Sequence, residues 1–421
     1  MLAGERFRHG PDWHMEGYRI LGHGAHYDRI LALGRAGILP LFWLGCWVVY
    51  RWALRDGGPL AAVSAVLIFS TLPPILAHAG LITTDLGLAS LTGAAVLATL
   101  YWAEGPDRRR SLLLGAAIGL ACLSKFSALV FLPAAWALML ARPDFRSALR
   151  QWRMILLALG AAWIVIWAGY RFGFAHGLPA PHFFSGIQSV WKHNRSGHAA
   201  YVLGQRSQTG FWYFYPVVLG VKTPLGLLGL TVLGLFQRRA RIYSLLFAAA
   251  ILGVGLASRI NIGVRHILPV YLGMSVFAGC VIAAARSRAE QALALALLAW
   301  HVISSAAQHP DYLAYTNEIA QGHAERFVGD SDLDWGQDMN RLADFCSRSG
   351  IEQLTFRPFN WSYQIAGHPL PAILPPDSDN PAPGWNAVSI TTWKVFGFPA
   401  WAERAPPPTV RLGRSILFWR Y

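Results

Sequence analysis

The sequence predicts an all-α polytopic membrane domain of about ten transmembrane helices, with a small extracytoplasmic α/β domain at its C-terminal end. Composition is the first observation, because hydrophobic residues make up 54% of the 421 residues and charged residues only 14%. This balance is typical of a chain that lies largely in lipid. The second observation is the alternation of apolar runs with clusters of arginine, which stay on the cytoplasmic side of a membrane. The third is a change near residue 307 to a polar composition with short strand and helix patterns.

The candidate spans are apolar runs, most of them near the ~20 residues needed to cross a bilayer. They cover residues 36–53, 60–78, 84–103, 112–124, 126–141, 154–171, 211–236, 243–258, 266–285 and 290–306. Lys125 separates two short runs, which form either one kinked helix with a lysine at mid-membrane or a hairpin with Lys125 at the outer surface. The hairpin keeps the arginines of 108–110 and 142–153 on one side, so the positive-inside rule favours it.

An even number of spans places both termini outside and divides the chain into three parts. Residues 1–35 precede the first span, residues 36–306 form the transmembrane domain, and residues 307–421 form the extracytoplasmic α/β domain. The transmembrane domain carries the outer loop 172–210, and a loop of this length in a compact fold is usually functional. In the last part the patterns predict one helix and several strands. The helix covers 336–346, and the strands cover 326–329, 351–356, 385–393 and 415–421.

Several function classes are excluded by the same composition. The formal net charge is +14, but the basic residues lie mostly in short loops between apolar runs. They therefore set topology, and no nucleic-acid partner is expected. The four cysteines lie far apart and form neither a disulfide framework nor a zinc pattern.

The run of carboxylates in 330–338 resembles a calcium loop only superficially. Trp335 stands where that loop requires glycine, and Arg341 stands where it requires glutamate. We therefore expect a structural turn in which Asp334 caps the following helix.

Charged residues at the outer ends of the apolar runs are the candidate site. Asp85 is the candidate catalytic residue; it follows Thr83 and Thr84 at a helix start, where either plain N-capping or a role in a site explains it. The candidate substrate-binding residues are basic: Lys125, Lys222, Arg259, Arg265 and His266. Snorkelling to lipid headgroups explains any one of them, but not their recurrence at four separate outer ends. A cationic site of this kind suits a phosphate-bearing substrate.

Five motifs resemble those of bacterial membrane glycosyltransferases related to the protein O-mannosyltransferases, in glycosyltransferase family 39 of the GT-C class. The motifs, in the expected order along the chain, are TTDLGLA (83–89), GLACLSKFSAL (119–129), FYPVVLGVKTPLGLL (214–228), INIGVRHILPVY (260–271) and DSDLDWGQDMNRL (330–342). Lys125, Lys222, Arg265 and His266 match the basic motifs of the family, and Asp85 matches its acidic helix start.

The resemblance implies a multi-pass enzyme of the cytoplasmic membrane. Such an enzyme transfers a sugar, mannose-like, from a polyprenyl-phosphate donor to a protein or lipid acceptor on the outer side of the membrane. An acidic residue acts as base on the acceptor hydroxyl, while cations or a divalent metal ion hold the leaving phosphate. Membrane lipids are the other expected partners.

One departure from the family concerns the N-terminal end. The family begins with a membrane helix and an outer loop that bears an Asp-Glu pair, whereas residues 27–35 resemble the stretch before the second helix. The resemblance thus implies that residues 1–35 are a remnant of the first outer loop and that the first helix lies upstream of Met1. The alternative is that Asp12 and Glu16 substitute for the pair.

Two rival functions stay open at this point: a lipid-substrate transporter or flippase, and a catalytically inactive GT-C homologue. A transporter holds its polar groups near mid-bilayer, whereas these lie at the outer boundary, which favours the transferase.

Overall fold

The computed structural model describes residues 20, 26–175, 177–237, 243–320, 322–359, 365 and 367–421. Most of this part of the chain is helical. The helices in chain order are α1 (Tyr27–Ala36), α2 (Leu39–Thr71), α3 (Pro73–Ala79), α4 (Asp85–Glu104), α5 (Arg108–Ser124), α6 (Ala128–Met139), α7 (Pro143–Ala148), α8 (Trp152–Gly169), α9 (Pro181–Ser196), α10 (Phe214–Lys222), α11 (Leu225–Phe236), α12 (Tyr243–Ala257), α13 (Pro269–Ala284), α14 (Arg288–Ala306), α15 (Met339–Arg348) and α16 (Ile390–Phe396).

The strands are short, and they pair in three separate sheets. In chain order they are β1 (Phe174–Ala175), β2 (Leu178–Pro179), β3 (Ala200–Val202), β4 (Gln205–Ser207), β5 (Gln353–Arg357), β6 (Ala372–Leu374), β7 (Trp385–Ser389), β8 (Val410–Leu412) and β9 (Ile416–Arg420). The described chain divides into two compact units. We call Ile38–His198 with Thr209–Tyr312 the membrane unit. The C-terminal unit consists of Ala199–Gln208 and Leu313–Tyr421, with the N-terminal residues up to Gly37.

Several described helices are long and apolar enough to cross a bilayer, as expected of a multi-pass membrane protein. Four stretches pass by length and composition: Tyr27–Thr71, α4, α8 and α14. A fifth is added if α10 and α11, which are bent by 111° at their junction, count as one broken span. Helices α6, α12 and α13 are apolar but shorter. The count of about ten spans therefore stays a prediction, because several predicted runs are interrupted or shortened in the fold.

The helices are interrupted at prolines, at a glycine and at a lysine. Helix α2 covers two of the predicted spans, and it is broken at Gly58, whose φ is 83°, just before Pro59. Leu72 is extended, as the residue before a proline prefers to be, and α3 begins at Pro73. Lys125 is also extended, with φ −163° and ψ 139°. No continuous helix therefore joins α5 to α6.

Small residues allow the helices of the membrane unit to approach closely. Helix α5 packs along α8, and a side chain added at Gly115 or Gly119 would collide with the α8 backbone at Ala158 or Ala162. Two glycines four residues apart on one helix are a common device for close packing in membranes. This contact fixes α5, and with it the position of Lys125 at its C-terminal end.

The C-terminal unit contains a five-stranded mixed sheet in the order β6-β5-β7-β9-β8. Strand β5 runs parallel to β6 and β7, while β9 is antiparallel to β7 and β8. Helix α15 covers the sheet, and Met339, Leu342 and Cys346 pack with Leu354 and Phe418 in the core. Chain order and pairing together make this a small α/β unit, as the sequence predicts.

The structure confirms the helix and two of the strands that were predicted for this unit. Strand β9 lies inside the predicted 415–421. Strand β5 overlaps the predicted 351–356 but starts two residues later and ends one residue later, and α15 overlaps the predicted helix. The predicted strand 326–329 is wrong, since Val328 makes only a single bridge with Val202. The predicted strand 385–393 ends at Ser389, because the Ser389 side chain accepts from the Thr392 N–H and starts α16 there.

The acidic run also differs from its prediction in one respect. Asp338, not Asp334, occupies the N-cap position of α15. Asp334 instead accepts the Gly336 N–H at 2.9 Å and the Ser389 hydroxyl at 2.8 Å. Three residues, 335–337, separate Asp334 from the N-cap Asp338, and the sequence pattern does not reveal this turn.

Candidate functional site

The candidate residues in the membrane unit lie where helices begin or end. Asp85 is the first residue of α4, Lys125 directly follows α5, and Lys222 is the last residue of α10. Arg265 and His266 lie in the short 3₁₀ helix Val264–Ile267 ahead of α13. A carboxylate at a helix N-terminus and cations at helix C-termini are each favoured by the helix dipole. Non-helical backbone within a membrane domain is tolerated where it is buried in protein or lines a cavity.

Asp85, Lys125 and Arg265 form a shielded ion-pair cluster. The Lys125 ammonium donates to Asp85 Oδ1 at 2.6 Å, and an Arg265 guanidinium nitrogen lies 3.8 Å from Asp85 Oδ2. The Asp85 side chain is only 2% exposed, and those of Lys125 and Arg265 are 23% and 19% exposed. A carboxylate this deeply buried stays ionised only with such partners. The cluster therefore accounts for the charge at position 85.

Plain capping does not account for the Thr83-Thr84-Asp85 motif. Thr84 is the N-cap residue of α4, but its side chain makes no cap hydrogen bond. The buried Thr83 hydroxyl has no hydrogen-bond partner among the described residues. Of the two explanations that the sequence leaves open, the geometry favours pairing of Asp85 with cations over capping by the threonines.

Lys222 is buried at the sharp bend between α10 and α11. Its residue is only 1% exposed, and the bend is fixed by Pro224 and by a hydrogen bond from the Thr223 hydroxyl to the Tyr271 hydroxyl at 3.2 Å. Lys222 interacts electrostatically with His78, which also interacts with Asp85, Arg265 and Lys125. Lys222 therefore belongs to the same cluster.

His266 is held between aromatic rings at the edge of the cluster. Its ring stacks on Tyr215 at 5.9 Å between centroids and meets Phe131 edge-on at 6.4 Å. The Tyr215 hydroxyl donates to the Ile260 carbonyl at 2.5 Å, which fixes this clamp to the segment that carries Arg265. His266 Nδ1 is buried without a hydrogen-bond partner among the described residues.

The end of the loop 172–210 that belongs to the membrane unit lies near this segment. The Asn194 side chain accepts from the Arg259 N–H at 3.1 Å. His198 stacks on His193 at 5.5 Å, and its pKa is lowered below the usual value by burial, then by His193 and by Arg265. The loop therefore brings a neutral imidazole within electrostatic range of the cluster.

Arg259 and His78 are the residues on which the sequence prediction and the structure differ. Arg259 is exposed, and its recorded polar contact is made by its backbone N–H, so the structure does not join its side chain to the cluster. His78 was not predicted, although it lies within the cluster. The available signal was a single polar residue in the apolar stretch PPILAHA, seven residues before Asp85.

The divalent metal ion that the family resemblance allows does not fit these residues. The oxygens of Asp85 face an ammonium and a guanidinium, and further cations surround them. Within the described ranges, no three His, Cys, Asp or Glu side chains gather as a metal site would require. We therefore derive no step through a metal.

The chain is similar to known proteins in sequence and in fold. Residues 39–169 match the family described as dolichyl-phosphate-mannose-protein mannosyltransferase. Among solved structures, the crystal structure of ArnT from Cupriavidus metallidurans bound to undecaprenyl phosphate matches with a TM-score of 0.51 and 16% identity, covering 96% of this chain and 85% of that chain. The apo structure of ArnT from Cupriavidus metallidurans matches with the same identity and coverage and a TM-score of 0.46.

No curated protein matches the chain by sequence. The match to the ligand-bound ArnT structure shows a shared fold, and the family match confirms the resemblance that the motifs predicted. Residues 39–169 thus match the dolichyl-phosphate-mannose-protein mannosyltransferase family, and the chain shares its fold with a solved structure of ArnT.

Proposed function

We propose that this protein is an integral-membrane glycosyltransferase that moves a sugar from a polyprenyl-phosphate donor to a protein or lipid acceptor. The observation that carries the proposal is the shielded cluster in which Lys125 and Arg265 meet the Asp85 carboxylate, with Lys222 linked to it through His78. The undecaprenyl phosphate in the ArnT structure supports this class of donor. A mannose-like sugar and protein glycosylation are the finer form of the proposal, supported by the description of the matching family.

The charge of the cluster suits the departing phosphate better than the intact donor. A polyprenyl-phosphate sugar is a phosphodiester with a single negative charge, and breaking its sugar–oxygen bond places further negative charge on the phosphate. Lys125 and Arg265 share the single carboxylate of Asp85, so cationic side chains are held where that negative charge develops. Interactions that strengthen in the transition state raise the rate, which is how these cations would catalyse the transfer.

In this proposal, Asp85 positions the cations rather than acting as the base. Its oxygens face Lys125 and Arg265, and a carboxylate held by two cations is a weak proton acceptor. The base that deprotonates the acceptor hydroxyl is then another group. Asp12 and Glu16, which the sequence offers for this role, lie outside the described residues.

We place the reaction on the outer side of the cytoplasmic membrane, with the C-terminal unit extracytoplasmic. The arginine clusters support this orientation, because short basic loops stay in the cytoplasm. The site residues lie at the opposite ends of the same apolar runs.

A pair of arginine variants tests the proposal. In Arg265→Ala the cluster loses a guanidinium, and we expect transfer to fall about 10²- to 10³-fold, as when one preorganised donor to a developing charge is removed. Arg259→Ala is the matched control, because Arg259 is exposed and joined to its neighbours through the backbone. The measurement is sugar transfer from a radiolabelled polyprenyl-phosphate donor by the full chain in vesicles.

Equal activity of the two variants and the wild type would contradict a phosphate-binding role for the cluster. Movement of the labelled lipid across the vesicle membrane without transfer would instead support a flippase. Donor binding without either reaction would support the inactive homologue.

A further inference from the structure

His78 lies at the centre of the charged cluster, on an element that sequence analysis treats as part of an apolar span. It belongs to the short helix α3, which begins at two consecutive prolines and packs against α4 and the 3₁₀ helix Val264–Ile267. The residue is only 2% exposed. Of the cluster residues described above, it interacts electrostatically with all four charged side chains, Asp85, Arg265, Lys222 and Lys125.

The polar contacts of His78 are incomplete within the protein. Its Nδ1 is buried and has no hydrogen-bond partner among the described residues. Leaving a buried polar nitrogen unsatisfied destabilises the fold, and a ligand that accepts a hydrogen bond from it would remove that penalty.

His301 shows what a packing histidine looks like in the same unit. It is fully buried in α14, and its Nε2 lies 3.1 Å from both the Thr71 hydroxyl and the Ile68 carbonyl. Its electrostatic surroundings include no charged side chain. Both rings have a buried Nδ1 without a hydrogen-bond partner among the described residues, so this feature alone does not separate them. They differ in two other respects: the described residues supply hydrogen-bond partners to Nε2 of His301, and the charged side chains of the cluster act on His78.

We infer that His78 is a further substrate-binding residue, whose Nδ1–H donates a hydrogen bond to a phosphate oxygen of the donor. This inference rests on the proposed function and extends it by one residue. Lys125 and Lys222 attract a phosphate as flexible point charges, whereas a buried imidazole offers one donor in a fixed direction. His78 would therefore orient the phosphate without adding charge to a cluster that is already cationic.

Two amide substitutions separate a contact at Nδ1 from packing. The asparagine amide lies close to where Nδ1 lies in histidine, and the glutamine amide lies close to Nε2. We expect His78→Asn to bind a polyprenyl phosphate within about 3-fold of the wild type. His78→Gln should bind it about 10- to 100-fold more weakly, the effect of losing a hydrogen bond to a charged group. His301→Asn is the control, and its affinity should equal that of the wild type.

The binding experiment uses the full chain in detergent and two probes, undecaprenyl phosphate and inorganic phosphate. A larger loss for the lipid phosphate assigns the contact to a lipid-borne headgroup, and equal losses assign it to phosphate from either source. Unchanged affinity of His78→Gln, or equal losses in His78→Asn and His78→Gln, would overturn the inference.

The same binding measurement on Lys125→Met distinguishes failure of this inference from failure of the proposed function. If Lys125→Met loses affinity while His78→Gln does not, only the role of His78 is wrong. If the wild type binds neither probe, both the proposed function and this inference are wrong.

Discussion

The membrane unit and the C-terminal unit each bury carboxylates, but they do so with different surroundings. In the C-terminal unit, Asp338 accepts hydrogen bonds from the Arg414 N–H, the Ser415 N–H, the Ser415 hydroxyl and Arg341. In the membrane unit, Asp85 meets two side-chain cations, and a third lies in the same cluster. In the first arrangement, neighbouring groups of the same unit satisfy the carboxylate. In the second, the carboxylate is held by cationic side chains, which we propose also bind a ligand.

This difference separates two motifs that look equally functional in the sequence. The run 330–338 has the denser charge, but two of its carboxylates are held within the C-terminal unit. Asp334 accepts from Ser389 at the end of β7, and Asp338 accepts from Arg414 and Ser415 just before β9. Gly413 completes this arrangement, because its φ is +54° and a side chain there would collide with the Asp338 carboxylate. The number of charged residues in a short segment is therefore a poor guide to a binding site. How those charges are paired with their neighbours is a better guide.

The largest effect is expected from breaking the ion pair of the membrane unit. Lys125→Met leaves the buried Asp85 with the more distant Arg265 as its ion-pair partner among the described residues. We therefore expect the free energy of unfolding to fall by about 3 kcal/mol and transfer to fall by up to about 10³-fold. Asp85→Asn combined with Lys125→Met removes both charges and should recover most of the stability without recovering transfer. Thermal unfolding and transfer, measured on the same preparations, test this.

Recovery of transfer in the double variant would show that the pair is structural and would remove the contrast between the two units. Loss of stability in the double variant equal to that in Lys125→Met would show that packing of the lysine, and not its charge, matters.

A smaller effect is expected in the C-terminal unit. Asp338→Ala leaves two backbone N–H groups and a hydroxyl without their acceptor, so we expect a loss of about 3 kcal/mol in the free energy of unfolding. Asp344→Ala, at an exposed position of the same helix, is the matched control and should change stability by less than ~0.5 kcal/mol. Denaturant unfolding followed at the tryptophans measures both.

A result in which Asp338→Ala unfolds like the wild type but loses donor binding would contradict the structural role of the run. The motif 330–342 would then belong to the site.

Much of the site could be predicted from the sequence, because charges in apolar runs stand out. Asp85, Lys125 and Arg265 were found this way, and the structure brings them together. Arg259 looks the same in the sequence, and only the path of the backbone shows that its side chain lies apart from these contacts. His78 was missed because a single histidine in an apolar run is usually a packing residue.

The sequence predicted the fold class, but it did not predict where the helices are interrupted. The apolar run 211–236 was predicted as one span, but the structure bends it by 111°. Its sequence signals the bend only through the three residues Lys222-Thr223-Pro224. Strands β6 and β8 were missed because each has only three residues, too few to show alternation. Both errors have the same cause, since tertiary contacts rather than local pattern decide where these segments bend or pair.

The smallest effect is a pH dependence confined to the C-terminal unit. Burial raises the pKa of Asp334 to about 6, against hydrogen bonds from the Gly336 N–H and Ser389 that favour the charged form. Because this folded-state pKa lies above the unfolded value, the folded protein binds the proton more tightly. Stability is therefore gained as the pH falls through about 6 and is lost as the pH rises. Between pH 7 and pH 5 we expect a gain of about 1 kcal/mol.

Hydrogen exchange of β7 and β9 in the full chain gives a local readout of this gain, and Asp334→Asn supplies the control. Ser389, the first neighbour of the Asp334 carboxylate, lies at the end of β7, so slower exchange at pH 5 than at pH 7, after correction for intrinsic rates, is expected in the wild type. The variant should lose the difference, because an amide does not titrate. The measurement stays above pH 5 to avoid the titration of Glu325. Burial raises the pKa of Glu325, but its hydrogen bonds to Arg411 lower it further, so its protonation destabilises the fold only at lower pH. A wild type whose exchange is the same at both pH values would mean that Asp334 stays ionised, and that its partners outweigh its burial as they do for Asp85.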